Sequence, residues 1–181
     1  MKPLIIINFK TYKEASGDKG LLLARAISKV KRPEYEIISV PTLLTTREIA
    51  KKTSNIIYAQ HADPYIYGAH TGSVLLDELK EAGIKGIILN HSENKVHISQ
   101  LAETIELCKK KRMKCVICAA TLGWVKKIAH LHPNYIAYEP SELIGGDVSV
   151  TGADPNTIVK AAELIKSISR KTKLLVGAGV H

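Results

Sequence analysis

Leu4-Ile5-Ile6-Ile7-Asn8-Phe9-Lys10-Thr11-Tyr12 is the stretch on which the fold turns. Leu4 to Phe9 is an almost continuous apolar run. A run without polar alternation predicts a strand covered on both faces, as in a parallel sheet. The residues just after the strand separate the architectures built on such sheets. A doubly wound sheet that binds a dinucleotide carries G-x-G-x-x-G there, so that backbone can approach the pyrophosphate. This chain has Asn8-Phe9-Lys10-Thr11-Tyr12 instead.

The same unit recurs along the chain. Further strands are predicted at Glu36–Val40, Ile56–Gln60, Gly86–Leu89, Lys114–Cys118, Tyr135–Tyr138 and Lys173–Val176. Helical patterns fall at Lys19–Lys31, Leu44–Lys52, Ser73–Ala82, Ile98–Lys111, Trp124–His130 and Pro155–Ser169. In the first of these, Leu22, Leu23, Ala26, Ile27 and Val30 share one face at helical spacing. In the last, Asp154 precedes proline at the first helical position, a start signal. Strand–helix alternation implies a parallel sheet covered by helices. Ionisable residues also close several different strands: Lys10, His61, His91 and Glu139. That distribution suits the catalytic face of a barrel better than a single crevice. The expected fold is therefore α/β, a (β/α)8 barrel with only seven strands present, residues 1–181 forming a single domain.

Composition narrows the function classes. With 45% hydrophobic and 24% charged residues, the chain has the make-up of a soluble globular protein. No apolar run approaches the ~20 residues that span a bilayer, and the N-terminus lacks a cleavage site, so a cytoplasmic protein with no membrane partner is expected. Cys108, Cys115 and Cys118 are too few for a disulfide scaffold, and Cys115-Val116-Ile117-Cys118 has no second pair to complete a zinc site, so all three read as buried thiols. The net charge of +9 suits a small anionic substrate. Its densest run, Lys109 to Lys114, ends a helical pattern without interleaved aromatics, so it reads as a solvated helix end and no nucleic acid partner is expected. His61, His70 and His91 show no metal-ligand spacing, so no metal is expected.

The candidate chemistry lies at three strand ends. In Ala137-Tyr138-Glu139-Pro140-Ser141-Glu142-Leu143-Ile144-Gly145-Gly146, proline pins Glu139 at the tip of its strand, and a glycine-ended segment comes next. A carboxylate beneath such a flap suits proton abstraction away from water. Asn8 and Lys10, two apart, are expected on one side of the first strand. Asn90-His91-Ser92-Glu93 closes the fourth. A base, an imidazole electrophile and an ammonium make a proton-transfer site for a phosphorylated carbonyl compound.

These segments together resemble the triosephosphate isomerase family, in particular its compact archaeal branch. The resemblance rests on Ile7-Asn8-Phe9-Lys10, Tyr58-Ala59-Gln60-His61, Gly68-Ala69-His70-Thr71-Gly72, Asn90-His91-Ser92-Glu93, Tyr138 to Gly145 and Gly177-Ala178-Gly179, in the family's order. It implies a TIM-type barrel that interconverts dihydroxyacetone phosphate and D-glyceraldehyde 3-phosphate, in glycolysis and gluconeogenesis, with no cofactor. It implies Glu139 as base, His91 as neutral electrophile and Lys10 as the cation, with Asn8 and Phe9 beside it and Glu93 helping to hold the lysine. Pro140 to Gly146 becomes a lid, with phosphate contacts near Ile144 and Gly179. The loop Ala62 to Gly72 becomes the contact of a homo-oligomer, dimer or tetramer. Two departures bear on these expectations. Gly145-Gly146-Asp147 adds a glycine and a charge to the lid, which predicts looser closure. The chain stops after a seventh strand, which predicts unpaired strand edges and a weakened phosphate cradle. The alternative is a truncated, impaired barrel that only binds phosphorylated ligands or a partner chain.

Overall fold

The computed structural model describes residues 2–140 and 155–177. In chain order their elements are β1 (Leu4–Asn8), a 3-10 turn (Lys13–Ala15), α1 (Gly17–Ser28), β2 (Glu36–Val40), α2 (Leu43–Lys52), β3 (Ile56–Ala59), α3 (Leu76–Glu81) and β4 (Gly86–Leu89). Next come α4 (Ile98–Lys111), β5 (Lys114–Ala119), α5 (Leu122–Ala129), β6 (Tyr135–Tyr138), α6 (Pro155–Ile168) and β7 (Lys173–Val176). The strand order is β1-β2-β3-β4-β5-β6-β7, without the reversal that defines a doubly wound sheet. Contacts divide the chain into two compact units, Met1–Ile87 with Leu107–Met113, and Ile88–Glu106 with Lys114–His181. None of the described helices is long and apolar enough to cross a membrane.

In the first unit β1 and β2 run parallel, with Leu4 opposite Glu36 and Asn8 opposite Val40. The Phe9 N–H carries the ladder one residue further, donating to the Val40 carbonyl at 3.0 Å. Apolar side chains on both faces of these strands build the core: Ile38, Val40, Ile57 and, from the helices, Ile49 and Leu76 are buried. Each contributes about 1.5–3 kcal/mol relative to leaving it in water.

Two expectations for this unit are corrected. The buried face of α1 is Gly20, Leu21 and Ala24, whereas Leu22, Leu23 and Val30 are exposed. The cause is close packing: a β-carbon on Gly20 would stand 2.5 Å from the Ala15 carbonyl oxygen, so the smallest residues mark the inner face. Hydrophobic spacing alone selected the wrong one. Helix α3 also starts at Leu76, not Ser73. The backbone of Val74 is taken by Asp63, whose N–H donates to the Val74 carbonyl at 2.9 Å and whose Oδ2 accepts the Val74 N–H at 2.8 Å. This clasp closes the base of the long loop. Within the loop Tyr65 stacks on His70 with ring centroids 4.3 Å apart, and the Tyr67 hydroxyl donates to Glu81 at 3.1 Å.

In the second unit β5, β6 and β7 are parallel, with Ala119 opposite Tyr138 and Tyr138 opposite Val176. Their entry ends are fixed by side chains. Asn134 Oδ1 accepts the Cys115 N–H at 3.0 Å, and the buried Thr172 hydroxyl donates to the Pro133 carbonyl at 2.7 Å. Helix α5 begins at Leu122, two residues before Trp124, because Thr121 Oγ1 caps it by accepting the Trp124 N–H at 3.2 Å. The cysteines Cys108, Cys115 and Cys118 are all buried and none is in a disulfide.

Candidate active site

Glu139 comes directly after β6. Its N–H donates to the Ala119 carbonyl at 3.0 Å, and the Gly177 N–H donates to the Tyr138 carbonyl at 3.2 Å, so the carboxylate-bearing residue is held between the ends of β5 and β7. The side chain is 22% exposed, yet Oε2 is buried and has no hydrogen-bond donor among the described residues. An unpaired buried carboxylate oxygen is costly, and it keeps its lone pairs available. Near the carboxylate lies Cys118, whose buried thiol feels the charge of Glu139. Burial first, then the charge of Glu139, hold the thiol well above its usual range, so it stays neutral. Gly177 makes the remaining space: a β-carbon there would stand 2.6 Å from Glu139 Oε1.

His91 enters from the loop after β4. The backbone N–H of Glu93 donates to His91 Nδ1 at 3.2 Å, and the Asn94 N–H donates to the His91 carbonyl at 2.9 Å. Glu93 Oε2 also lies 3.4 Å from Nδ1, on a carboxylate that is half exposed. The backbone N–H favours the tautomer in which Nδ1 accepts and the ring proton sits on Nε2. Nε2 stands 3.8 Å from Glu139 Oε2, too far for a hydrogen bond, so an imidazole and a carboxylate face each other without being bonded to each other.

Lys10 belongs to the first unit. It lies beyond β1 and adopts φ 49°, the left-handed region that side chains rarely occupy. Strand alternation from Asn8, expected to orient Lys10, ends at Asn8; a turn orients it instead. Asn8 Oδ1 accepts the Lys10 N–H at 3.0 Å. Gln60 Nε2 donates to the Lys10 carbonyl at 2.9 Å and reaches Val40 O at 3.4 Å and Asn8 Oδ1 at 3.5 Å. Since backbone carbonyls only accept, the amide nitrogen must face them. The Lys10 ammonium lies 5.8 Å from the Tyr12 ring centroid. Phe9 is 2% exposed, which leaves its side chain in the core.

The structure thus brings His91, Glu93 and Glu139 together, and Asn8 with Lys10. Ile144, Gly179 and the lid from Ser141 to Gly146 lie outside the described residues. His61 Nε2 sits 3.1 Å from Asp63 Oδ1 at the base of the loop, and His70 is occupied by Tyr65. Among the described residues no cluster of histidine, cysteine and carboxylate could hold a metal ion. Sequence reasoning missed the relation of Cys118 to Glu139. A thiol one strand away carries no spacing signal, although the parallel register would have placed it near the carboxylate. It also missed Gln60, a polar residue ending an apolar strand.

Parallel strands in unbroken order, with a carboxylate and an imidazole at strand ends, are those of an enzyme of the (β/α)-barrel class. Comparison with known proteins specifies it. The family model described as "Triosephosphate isomerase" matches residues 3–122 and 121–181. The triosephosphate isomerase of Methanobrevibacter smithii is 38% identical over 98% of this chain and 81% of its own length. That of Methanocaldococcus jannaschii is 36% identical over 98% and 81%, and that of Sulfolobus acidocaldarius 37% identical over 98% and 77%. The chain belongs to the triosephosphate isomerase family.

Proposed function

We propose that the chain interconverts dihydroxyacetone phosphate and D-glyceraldehyde 3-phosphate by proton transfer through an enediolate. Glu139 takes a proton from the carbon beside the substrate carbonyl and returns it to the neighbouring carbon. His91, through Nε2–H, polarises the carbonyl and then shuttles protons between the two oxygens of the enediolate; a neutral imidazole in this role is the established chemistry of the family. Lys10 supplies positive charge to the phosphorylated substrate and to the developing oxyanion. Asn8 fixes the lysine's turn. Ile144 and Gly179 contribute backbone N–H groups to the phosphate. The reaction serves glycolysis and gluconeogenesis in the cytoplasm, and the chain works as a single barrel domain in a homo-oligomer, dimer or tetramer, formed through Ala62 to Gly72.

One observation carries this reading: Glu139 Oε2 is buried, has no hydrogen-bond partner among the described residues and lies 3.8 Å from His91 Nε2. For the oligomer, the support is a loop already clasped at its base that leaves Tyr65, Ile66 and Tyr67 exposed. An isomerase assay coupled to reduction of dihydroxyacetone phosphate tests the chemistry on the purified chain. Activity is expected, with Glu139→Gln lowering kcat by at least ~100-fold. Folded protein without activity, or full activity in the variant, would reject the assignment. Light scattering at micromolar concentration tests assembly, and a monomeric mass would reject it.

A further inference from the structure

We propose that Asn90 is a positioning residue that sets the electrophile against the base; the inference rests on the reading of His91 as electrophile and Glu139 as base. Asn90 comes directly after β4 and adopts φ 60°, a left-handed conformation that asparagine tolerates better than most residues. Its side chain is used at both ends. Nδ2 donates to the Cys118 carbonyl at 2.9 Å, and Oδ1 accepts the Val96 N–H at 3.1 Å.

The second bond closes the loop 90–96 across its mouth, and that loop carries His91 together with the Glu93 N–H that donates to its Nδ1. The first bond ties the same loop to β5 at Cys118, next to Ala119, whose carbonyl accepts the Glu139 N–H at 3.0 Å. One amide therefore joins the support of the imidazole to the support of the carboxylate. A shift of the loop against β5 would appear directly in the 3.8 Å separation between Nε2 and Oε2. Displacements of that kind cost rate, because the reacting groups must meet at a defined distance.

The conformation and the bonds can be separated by substitution. Glycine accepts φ 60° without strain and makes neither bond. Aspartate tolerates the conformation and can accept from Val96, but it has no hydrogen to give the Cys118 carbonyl.

The test uses the full chain with Asn90→Gly and Asn90→Asp, measuring kcat and KM, thermal melting, and the 15N signals of the His91 ring. Asn90→Gly is expected to lose about tenfold or more in kcat, with KM changed less than ~2-fold. Its His91 Nδ1 signal should move away from that of a hydrogen-bonded acceptor, a change that a purely structural residue would not produce. Asn90→Asp should lose activity in the same direction, and it carries the test should the glycine variant not fold. A kcat within ~2-fold of the parent in either folded variant would overturn the proposal. So would a loss that disappears once the assay is run well below the variant's melting temperature. Glu139→Gln and His91→Gln are assayed alongside. Undiminished activity in those two would reject the reading of the base and electrophile, an outcome distinct from normal kinetics in the Asn90 variants.

Discussion

Glu139 and Gly177 share one space: the carboxylate oxygen Oε1 lies 2.6 Å from where a β-carbon of residue 177 would be. The proposed base reaches its position because its neighbour beyond β7 has no side chain. Substituting Gly177→Ala should move the carboxylate rather than the backbone, since the flexible end of a glutamate is what meets the methyl group. The expected result is a fall in kcat of about tenfold with a nearly unchanged melting temperature. An unaltered kcat would show that the carboxylate has a second productive position.

Cys118 gives an alkaline signature. Its thiol is raised well above 9.0 in the folded chain by burial and by the Glu139 carboxylate, so the native state keeps this proton while the unfolded chain releases it near its ordinary value of 9.0. The unfolded state then binds fewer protons, and stability falls as pH rises through about 9. Below that pH the group contributes no slope. Urea melts from about pH 7 to 10 should show the decline, and Cys118→Ala should flatten part of it. Thiol reagents should leave Cys118 unmodified in the native protein at about pH 8 and label it after denaturation.

Gln60 holds a backbone that carries the lysine. Replacing it with leucine removes the donor to the Lys10 carbonyl, at a cost of about 0.5–1.5 kcal/mol. Lowered kcat/KM and lowered stability should appear together in Gln60→Leu. Reduced stability with normal kinetics would mean that the lysine turn is held well enough by Asn8.

Gly20 is a purely structural test of the corrected α1 face. A methyl group there would meet the Ala15 carbonyl oxygen at 2.5 Å, and backbone cannot swing away as a side-chain tip can. Gly20→Ala should destabilise the chain by about 1–3 kcal/mol despite alanine's better helix propensity, with kinetics unchanged once folded. A stabilised variant would return the inner face of α1 to Leu22 and Leu23.

Much of this molecule is legible in its sequence, for identifiable reasons. Fully buried strands such as Ile38 to Val40 and Ile136 to Tyr138 read as largely apolar runs because helices and sheet remove both faces from water. Glu139 was legible because Pro140 leaves it little conformational choice. His91 was expected at the end of the fourth strand as a neutral imidazole, and it stands in the loop after β4; which ring nitrogen accepts was not legible, since that depends on a backbone N–H two residues away. The α1 face was misread because Leu22 and Leu23 obey hydrophobic spacing while Gly20 decides how close the helix can come. Lys10 was placed correctly at the end of β1 and for the wrong reason. A left-handed residue breaks strand alternation, and lysine gives no warning of it.

The φ of 49° at Lys10 has a practical consequence for anyone selecting more stable variants. A non-glycine residue held there carries about 1–2 kcal/mol that glycine would not. Unbiased selection for thermal resistance would therefore favour Lys10→Gly, the one exchange that relieves the backbone and discards the ammonium together. With Lys10 as the proposed cation of the site, stability and turnover are opposed at a single residue, and directed evolution of this chain has to screen for both at once.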